Sequence, residues 1–387
     1  MTRMDLPGQA DPPSPEEARP APSGIWPAQR LRQGLAEGEI LGETAIEEGQ
    51  VQPASLDLRL GERAYRLPAS FLPGRHRRVR EKLDLLADKR IDLTGGAVLE
   101  KGHVYLVPLQ ESLRLRRRLT AVANPKSSTG RLDVFCRVIT DYGTAFDEIE
   151  EGYKGPLWLE VAPRSFNVVV RTGSRLAQLR IKQGSPPSSD SFARRLNEAV
   201  QVVGAKDEPA DVRGGAIALS VDMHGEGGGG IVGYRARKTD APVDIDAKAA
   251  YAIADFWETI ARPDESGLRL VPDTFHILAT KELVAVPADY AGDMIAYDTL
   301  VGEFRVHYAG FFDPGFGYEG DERKGCKIVL ELRSHEVPFM MEHGQIVGRV
   351  SVERLTAPTE APYGSAIGSS YQGQGLTLGK QFRRPQG

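Results

Sequence analysis

Leu157-Trp158-Leu159-Glu160-Val161 is an apolar run interrupted by one glutamate, and it has a counterpart at Val329-Leu330-Glu331-Leu332. The two glutamates stand 171 residues apart, and a glycine follows thirteen residues after each, at Gly173 and Gly344. Short apolar, β-branched runs bounded by glycine or proline are typical of β-strands. The stretch therefore predicts one β-strand that occurs twice in the chain.

The same offset extends upstream of this strand. Glu111-Ser112-Leu113 falls on Glu282-Leu283-Val284, and the apolar residues 104–107 fall on residues 275–278. Nearer the N-terminus, Ser55-Leu56-Asp57-Leu58 matches Ser220-Val221-Asp222-Met223 after a shift of about six residues. Several matches in one order indicate a tandem duplication.

The repeated units are predicted to be mainly β, with many short strands that close into a sandwich or barrel. Helices are accessory. One is predicted over residues 28–37, ended by Gly38, and another over residues 246–262, ended by Pro263. The predicted organisation is a disordered leader over residues 1–23, a first β unit over 24–205 and a second over 206–387.

The bulk properties exclude several classes of protein. Among 387 residues, 41% are hydrophobic and 26% are charged, which is typical of a soluble globular protein. The net charge of −4 provides no basic field for nucleic acid or an anionic membrane. No apolar run approaches the roughly 18 residues of a membrane span. The two cysteines favour a reducing compartment over a disulfide scaffold, so a cytoplasmic location is expected.

Pro125-Lys126-Ser127-Ser128-Thr129-Gly130-Arg131 carries hydroxyls, cations and a glycine directly after an apolar run. Hydroxyls, backbone N–H groups and an arginine fork are the groups that bind a phosphate chain. The alternative interpretation is a solvated polar turn, because the segment is not a Walker motif.

The two glutamates, Glu160 and Glu331, are candidates for proton transfer. Burial in an apolar strand raises a carboxyl pKa toward the range that suits a general base. The alternative is ordinary strand alternation, with each glutamate facing water. A zinc deaminase site is not expected, since Cys136 and Cys326 lie far apart and the combined H-x-E and P-C-x-x-C arrangement does not occur.

Several segments together resemble the dCTP deaminases of the dUTPase-like superfamily, and the resemblance covers most of residues 25–387. The segment Lys126 to Arg131 is similar to that family's phosphate-binding segment, which normally reads R-S-S-x-x-R. The other matching segments are the opening strand at residues 52–61, the sugar and base hairpin Phe312-Asp313-Pro314-Gly315-Phe316, the glutamate strand Val329-Leu330-Glu331, and the tail with Pro362-Tyr363 and residues 371–375. The match is closest to a long, duplicated bacterial form.

The resemblance implies two tandem dUTPase-like β-barrel (β-clip) units with active sites between neighbouring barrels. The second unit has Asp298-Thr299 where the first has Ser127-Ser128, and an aspartate would repel a triphosphate. A composite site is therefore expected, with Glu331 or Glu160 as the catalytic glutamate. The implied substrate-binding residues are Lys126, Ser127, Ser128, Arg131, Asp313, Val329, Leu330, Tyr363 and Gln374. Asp141 and Asp147 both stay open as the acid of the first-unit hairpin.

The implied activity is deamination of dCTP to dUTP and ammonia without zinc, with Mg²⁺ bound to the triphosphate. The resemblance also permits inhibition by dTTP and a homo-oligomer with trimer-like packing of barrels. Two alternatives remain: a bifunctional enzyme that cleaves dUTP further to dUMP, and a module that binds nucleotide without turning it over. Ser370 departs from the family tail, which usually has a lysine there, so Lys126 or Lys380 is expected to compensate.

Overall fold

The chain is mainly β, as the sequence predicts. The computed structural model describes residues 22–186, 188–204, 210–225, 230–296, 304–306, 310–334, 337–364, 373 and 375–384. The strands of the first half are β1 (Gly24–Ile25), β2 (Ile40–Gly42), β3 (Leu56–Arg59), β4 (Arg63–Leu67), β5 (Lys89–Asp92), β6 (Ala97–Leu99), β7 (Val104–Arg114), β8 (Leu119–Pro125), β9 (Val134–Thr140), β10 (Glu148–Ile149), β11 (Lys154–Pro163), β12 (Val168–Val170) and β13 (Arg175–Gln183).

The second half contains the remaining strands of the described chain. They are β14 (Val212–Arg213), β15 (Ala216–Ser220), β16 (Ile231–Ala236), β17 (Val243–Asp244), β18 (Trp257–Ala261), β19 (Leu268–Leu270), β20 (Phe275–Val284), β21 (Tyr290–Ala296), β22 (Phe304–Val306), β23 (Phe311–Phe312), β24 (Tyr318–Glu319), β25 (Glu322–Arg323), β26 (Cys326–Ser334), β27 (Phe339–Met341) and β28 (Ile346–Arg354). The helices are α1 (Ala28–Ala36), α2 (Val79–Leu86), α3 (Ser127–Gly130), α4 (Asp190–Val200) and α5 (Ile253–Phe256), with a 3₁₀ turn at Glu48–Gln50.

The strand pairing repeats between the two halves at the offset read from the sequence. Strand β11 pairs with β7 so that Glu160 lies opposite Leu106, and β26 pairs with β20 so that Glu331 lies opposite Ile277. Each second-half residue follows its counterpart by 171 positions. Strands β13 and β8 show the same relation to β28 and β21.

The predicted upstream match is wrong by four residues. In the first half, Leu56 lies opposite Leu179. The second-half counterpart of Leu179 is Val350, which lies opposite Ile217. Ile217 is therefore the counterpart of Leu56, whereas the sequence match assigned Val221. The backbone N–H of Arg59 donates to Glu111, as that of Ser220 does to Glu282, and this fixes the same alignment. The second half has a longer connection between β15 and β20 than the first has between β3 and β7, and matching by residue type does not locate such a difference.

One helix is confirmed and the other is wrong. Helix α1 covers Ala28–Ala36, and Gly38 adopts a positive φ of 75° just beyond it. Within residues 246–262 only Ile253–Phe256 is helical, and Trp257–Ala261 is an extended strand paired with β16. The reason is tertiary packing, since Trp257 makes edge contacts with Phe166 and Phe382.

The two halves share a core. Phe256, Trp257 and Phe275 from the second half pack into the same apolar cluster as the first-half strands. Strand β17 pairs in parallel with β12, which joins the halves through a common sheet. Within the described residues, no helix is long and apolar enough to cross a membrane.

Candidate active site

A pocket lies between the two halves, where helix α3 of the first faces strands β23 and β26 of the second. Its lining brings together most of the residues that the sequence singled out. The lining residues are Pro125, Lys126, Ser127, Arg131, Met294, Gly310, Phe311, Phe312, Asp313, Phe316, Ile328, Val329, Glu331 and Tyr363.

Glu331 is a buried carboxyl group on this pocket. Its side chain sits in strand β26 with only 4% of the residue exposed. Burial raises its pKa to about 8, with Arg131 acting to lower the pKa and Asp133 to raise it. Val329 also borders the pocket, whereas Leu330 packs into the core of the second half. A carboxyl group in this state can exchange a proton near neutral pH.

The polar segment after β8 contributes the cations of the pocket. Lys126 Nζ donates to both carboxylate oxygens of Asp57, and Arg131 Nη1 donates to the carbonyl of Thr377 over 2.9 Å. Ser127 borders the pocket, while Ser128 lies beside it and is 6% exposed. The segment folds as one short helical turn, α3, so its hydroxyls and its arginine come from one compact unit.

The hairpin of residues 312–316 forms another wall of the pocket, which Phe312, Asp313 and Phe316 line. Phe316 N donates to the carbonyl of Asp313 over 3.0 Å, and Gly315 adopts a φ of 90°, which favours glycine. Burial raises the pKa of Asp313, against the lowering effect of Arg180. The hairpin thus presents a buried acid beside the segment that carries Lys126.

The C-terminal tail approaches the pocket from outside. Tyr363 N donates to the carbonyl of Pro314 over 2.7 Å, and its ring packs 5.9 Å from that of Phe316. Gln374 lies outside the described residues, as do Ser370, Asp298 and Thr299.

Glu160 does not reach this pocket. Its Oε1 accepts hydrogen bonds from Arg137 Nε at 3.0 Å and Nη2 at 2.6 Å, and only 1% of the residue is exposed. The Arg137 guanidinium also stacks 3.4 Å from the centre of the Phe146 ring. The first-half glutamate is therefore enclosed in an ion pair.

Neither Asp141 nor Asp147 stands where Asp313 does. Asp141 accepts from Val79 N at the start of α2, and Asp147 accepts from Val138 N. Ala121 and Gly292 occupy the same position in the two repeats, and they lie opposite Ile149 and Phe312, respectively. Ile149 therefore corresponds to Phe312, and the next residue, Glu150, corresponds to Asp313.

Sequence reasoning missed Arg180, a fully buried residue that supports the hairpin. Its guanidinium is paired with Asp293, lies 3.4 Å from Asp313 Oδ1 and stacks 4.0 Å from the Phe311 ring centre. All three partners come from the other half of the chain. The available signal was an arginine between Leu179 and Ile181, at the position where the second repeat has Ser351.

Comparisons with known proteins agree on one family. Residues 22–185 match the 2'-deoxycytidine 5'-triphosphate deaminase N-terminal domain, and residues 188–382 match the C-terminal domain of the same family. The crystal structure of 2'-deoxycytidine 5'-triphosphate deaminase from Agrobacterium tumefaciens superposes with a TM-score of 0.82 at 49% identity. The superposition covers 87% of this chain and 99% of the Agrobacterium tumefaciens chain.

Two curated relatives are named "dCTP deaminase, dUMP-forming". The protein of Corynebacterium jeikeium is 36% identical over 125 residues, which is 31% of this chain and 62% of the relative. The protein of Parafrankia sp. is 35% identical over 134 residues, which is 33% of this chain and 63% of the relative. The chain thus spans less than two thirds of the length of these relatives.

Proposed function

The chain belongs to the 2'-deoxycytidine 5'-triphosphate deaminase family, and we propose that it converts dCTP and water to dUTP and ammonia without zinc. The observation that carries the proposal is Glu331, a buried carboxyl group with a raised pKa on the same pocket as Lys126 and Arg131. A general base and cations that line the same pocket suit a substrate with a reactive base and a triphosphate.

In the proposed reaction Glu331 moves the protons. Its carboxylate accepts a proton from a water molecule as the water oxygen attacks C4 of cytosine. Glu331 then delivers that proton to the amino nitrogen, the C4–N bond breaks and ammonia leaves. The second water proton moves from the new O4 hydroxyl to N3, which gives the C4 carbonyl and the N3–H of dUTP. A group in this role contributes about 10²–10⁴ in rate. A pKa of about 8 places both protonation states within reach near neutral pH.

The remaining pocket residues would bind and orient the nucleotide. Arg131, Ser127 and Ser128 would hold the triphosphate, with Lys126 exchanging its partner Asp57 for a phosphate oxygen. Asp313 would accept from the deoxyribose hydroxyl, and Val329 and Leu330 would offer backbone groups to the base. Tyr363 and Gln374 would cover the nucleotide.

Mg²⁺ would enter with the substrate, held by phosphate oxygens as a hard cation prefers. No cluster of three or more His, Cys, Asp or Glu residues that suits a metal ion occurs in the described part of the chain. The ion would neutralise part of the triphosphate charge beside Asp57 and Asp313. dTTP carries the same deoxyribose triphosphate, so it would compete for the pocket as an inhibitor.

We also propose the finer organisation of the molecule. Each half would be a dUTPase-like β-barrel (β-clip) unit, over residues 24–205 and 206–387, after a leader over residues 1–23. The repeated strand register supports this division. Trimer-like packing of barrels in a homo-oligomer and a cytoplasmic location complete the proposal, and the two free cysteines suit a reducing compartment.

The test is to incubate the purified chain with dCTP and Mg²⁺ and to follow ammonia and nucleotide products together. Glu331→Gln is expected to lower turnover by about 10²–10⁴ because it removes the proton carrier. Glu160→Gln is the matched control and should keep turnover under conditions where it is folded. A folded wild type that binds dCTP without turnover would contradict the proposal and leave a nucleotide-binding module.

The same assay separates dUTP from dUMP. The curated relatives are named dUMP-forming, which keeps the bifunctional reaction as the second candidate. Cleavage between the phosphates needs an acid that activates water near the sugar, and Asp313 would supply it. Pyrophosphate and dUMP among the wild-type products would establish the bifunctional enzyme. If Asp313 activates the water, Asp313→Asn should lose both products while dUTP and ammonia still form at saturating dCTP.

A further inference from the structure

Two charged residues from each half meet at the pocket wall, where Arg131 and Glu331 line the pocket and Asp133 and Arg333 do not. Arg131 ends the polar segment, and Asp133 follows it by two residues. Glu331 and Arg333 lie on strand β26. All four are buried, with exposed fractions of 2%, 1%, 4% and 4%. Buried charges are retained in proteins when they are paired, because an unpaired charge in the interior costs several kcal/mol.

Asp133 and Arg333 form a salt bridge between the two halves. Arg333 Nη2 donates to Asp133 Oδ2 and, over 3.1 Å, to Ser165 Oγ. The Ser165 hydroxyl donates to the same Asp133 oxygen at 2.6 Å, which closes a triangle. Arg333 Nη1 also donates to the carbonyl of Asp273. These contacts link the first half to two strand ends of the second.

Asp133 adopts an unusual backbone conformation to make this contact. Its φ is 55°, in the left-handed region that aspartate enters more readily than most residues. Its N–H donates to the carbonyl of Gly130 and its own carbonyl accepts from Arg164 N. The turn that ends the segment is therefore fixed two residues beyond Arg131.

We propose that Asp133 and Arg333 form a positioning pair that docks the polar segment onto strand β26 and sets the charge environment of Glu331. Asp133 follows Arg131 by two residues and Arg333 follows Glu331 by two, so docking Asp133 on Arg333 also holds Arg131 near Glu331. The proposal rests on the proposed function only where it treats Glu331 as the general base. Neither residue of the pair borders the pocket, so neither touches substrate.

The pair has a specific electrostatic consequence. Burial has the largest effect and raises the pKa of Glu331; Asp133 raises it further, and Arg131 lowers it. Arg333, on the same strand, offsets the charge of Asp133. Among the described residues, the charged and titratable groups near Glu331 are Arg131 and Asp133, the pocket residues Lys126, Asp313 and Tyr363, and Arg333 on its own strand. His276 lies on the neighbouring strand β20, opposite Leu332.

His276 does not complicate the titration. Burial and the nearby Arg235 lower its pKa to about 4, so it is neutral throughout the range in which Glu331 titrates. Removing one charge of the pair therefore acts on Glu331 with a predictable sign. Loss of the Asp133 charge favours the Glu331 carboxylate, and loss of the Arg333 charge favours its protonated form.

The experiment measures the pKa of Glu331 by carboxyl ¹³C NMR on the full chain, with the signal assigned by its loss in Glu331→Gln. Asp133→Asn is expected to lower this pKa by about one unit, and Arg333→Gln to raise it by a similar amount. The double variant should return near the wild-type value. Arg333→Lys keeps the charge and should stay close to wild type, which covers the case in which Arg333→Gln fails to fold.

Shifts in the same direction for both single variants, or no shift in folded Asp133→Asn, would overturn the pair's role. A purely structural role would lower stability in both variants without opposite shifts. The acid limb of kcat/KM for dCTP should move with the NMR value. If the wild type does not turn over dCTP, the proposed function fails, whereas the NMR titration still decides on the pair.

Discussion

Glu331 and Glu160 hold the same position in two repeated strand pairs, yet their surroundings differ. Glu160 accepts two hydrogen bonds from the Arg137 guanidinium, whose positive charge compensates that of the carboxylate. Glu331 forms no salt bridge with any residue the structure describes, and burial raises its pKa to about 8. A carboxyl group that exchanges protons near neutral pH suits catalysis, whereas one locked to an arginine suits structure.

Because the pKa of Glu331 is raised in the folded state, the free energy of unfolding should fall as the pH rises. The folded state binds this proton more tightly than the unfolded state, whose pKa is near 4.5. The stabilising effect is therefore complete below pH 4.5 and is lost as the pH rises through about 8. The free energy involved is at most about 5 kcal/mol.

Glu331→Gln should thus raise Tm relative to wild type more at pH 9 than at pH 5, as measured by thermal unfolding. The matched variant Glu160→Gln should instead lower Tm at both values, because it leaves Arg137 without its partner. An equal Tm difference between Glu331→Gln and wild type at the two pH values would contradict the environment assigned to Glu331.

The sequence contained enough to predict much of the pocket at the residue scale. Lys126, Arg131, Asp313 and Glu331 each stand in a short local pattern, and the structure brings all four to one cavity. Arg180 was missed because its contacts with Asp293 and Asp313 are 113 and 133 positions away along the chain. Partners at such a separation are set by the packing of two sheets and leave no local pattern.

At the scale of elements, the hairpin and the tail fit together at Gly315. A Cβ atom added there would lie 2.8 Å from Pro362 Cβ and 2.9 Å from Tyr363 N. The backbone also has a φ of 90°, which disfavours any side chain. The glycine lets the tail lie directly against the turn that presents Asp313.

Gly315→Ala should therefore displace the tail, raise KM for dCTP about tenfold and lower stability by about 1–3 kcal/mol. Gly320→Ala is the matched control, since Gly320 also has a positive φ of 59° but nothing within 4 Å of the added Cβ. Steady-state kinetics and thermal unfolding measure both effects. Equal KM values for the two variants would show that the tail does not contribute to binding.

Strands were easier to predict than helices in this chain. Strand β11 and strand β26 follow from their composition and repetition. Residues 246–262 carry a helical spacing of apolar side chains, but Trp257–Ala261 forms a strand that pairs with β16. The same apolar residues fill a cluster with Phe166 and Phe382 instead. Long-range packing outweighs local periodicity where the local preference is weak.

At the scale of the whole molecule, the duplication separates two tasks. The first half supplies the cations of the pocket, and the second supplies the hairpin and the titratable glutamate. Trp257 and Phe275 of the second half pack in the core of the first, so the halves are held in one arrangement. The family resemblance and the loss of the polar segment from the second repeat predicted this division, but only the folded chain shows that one chain contains both parts of one pocket.

The most direct test of this account is a crystal structure of Glu331→Gln with dCTP and Mg²⁺. We expect one nucleotide per chain, with its triphosphate against Lys126, Ser127 and Arg131 and its cytosine C4 beside residue 331 of the same chain. A nucleotide beside Glu160, or one whose phosphates and base contact unrelated surfaces, would contradict the composite site and the function proposed from it.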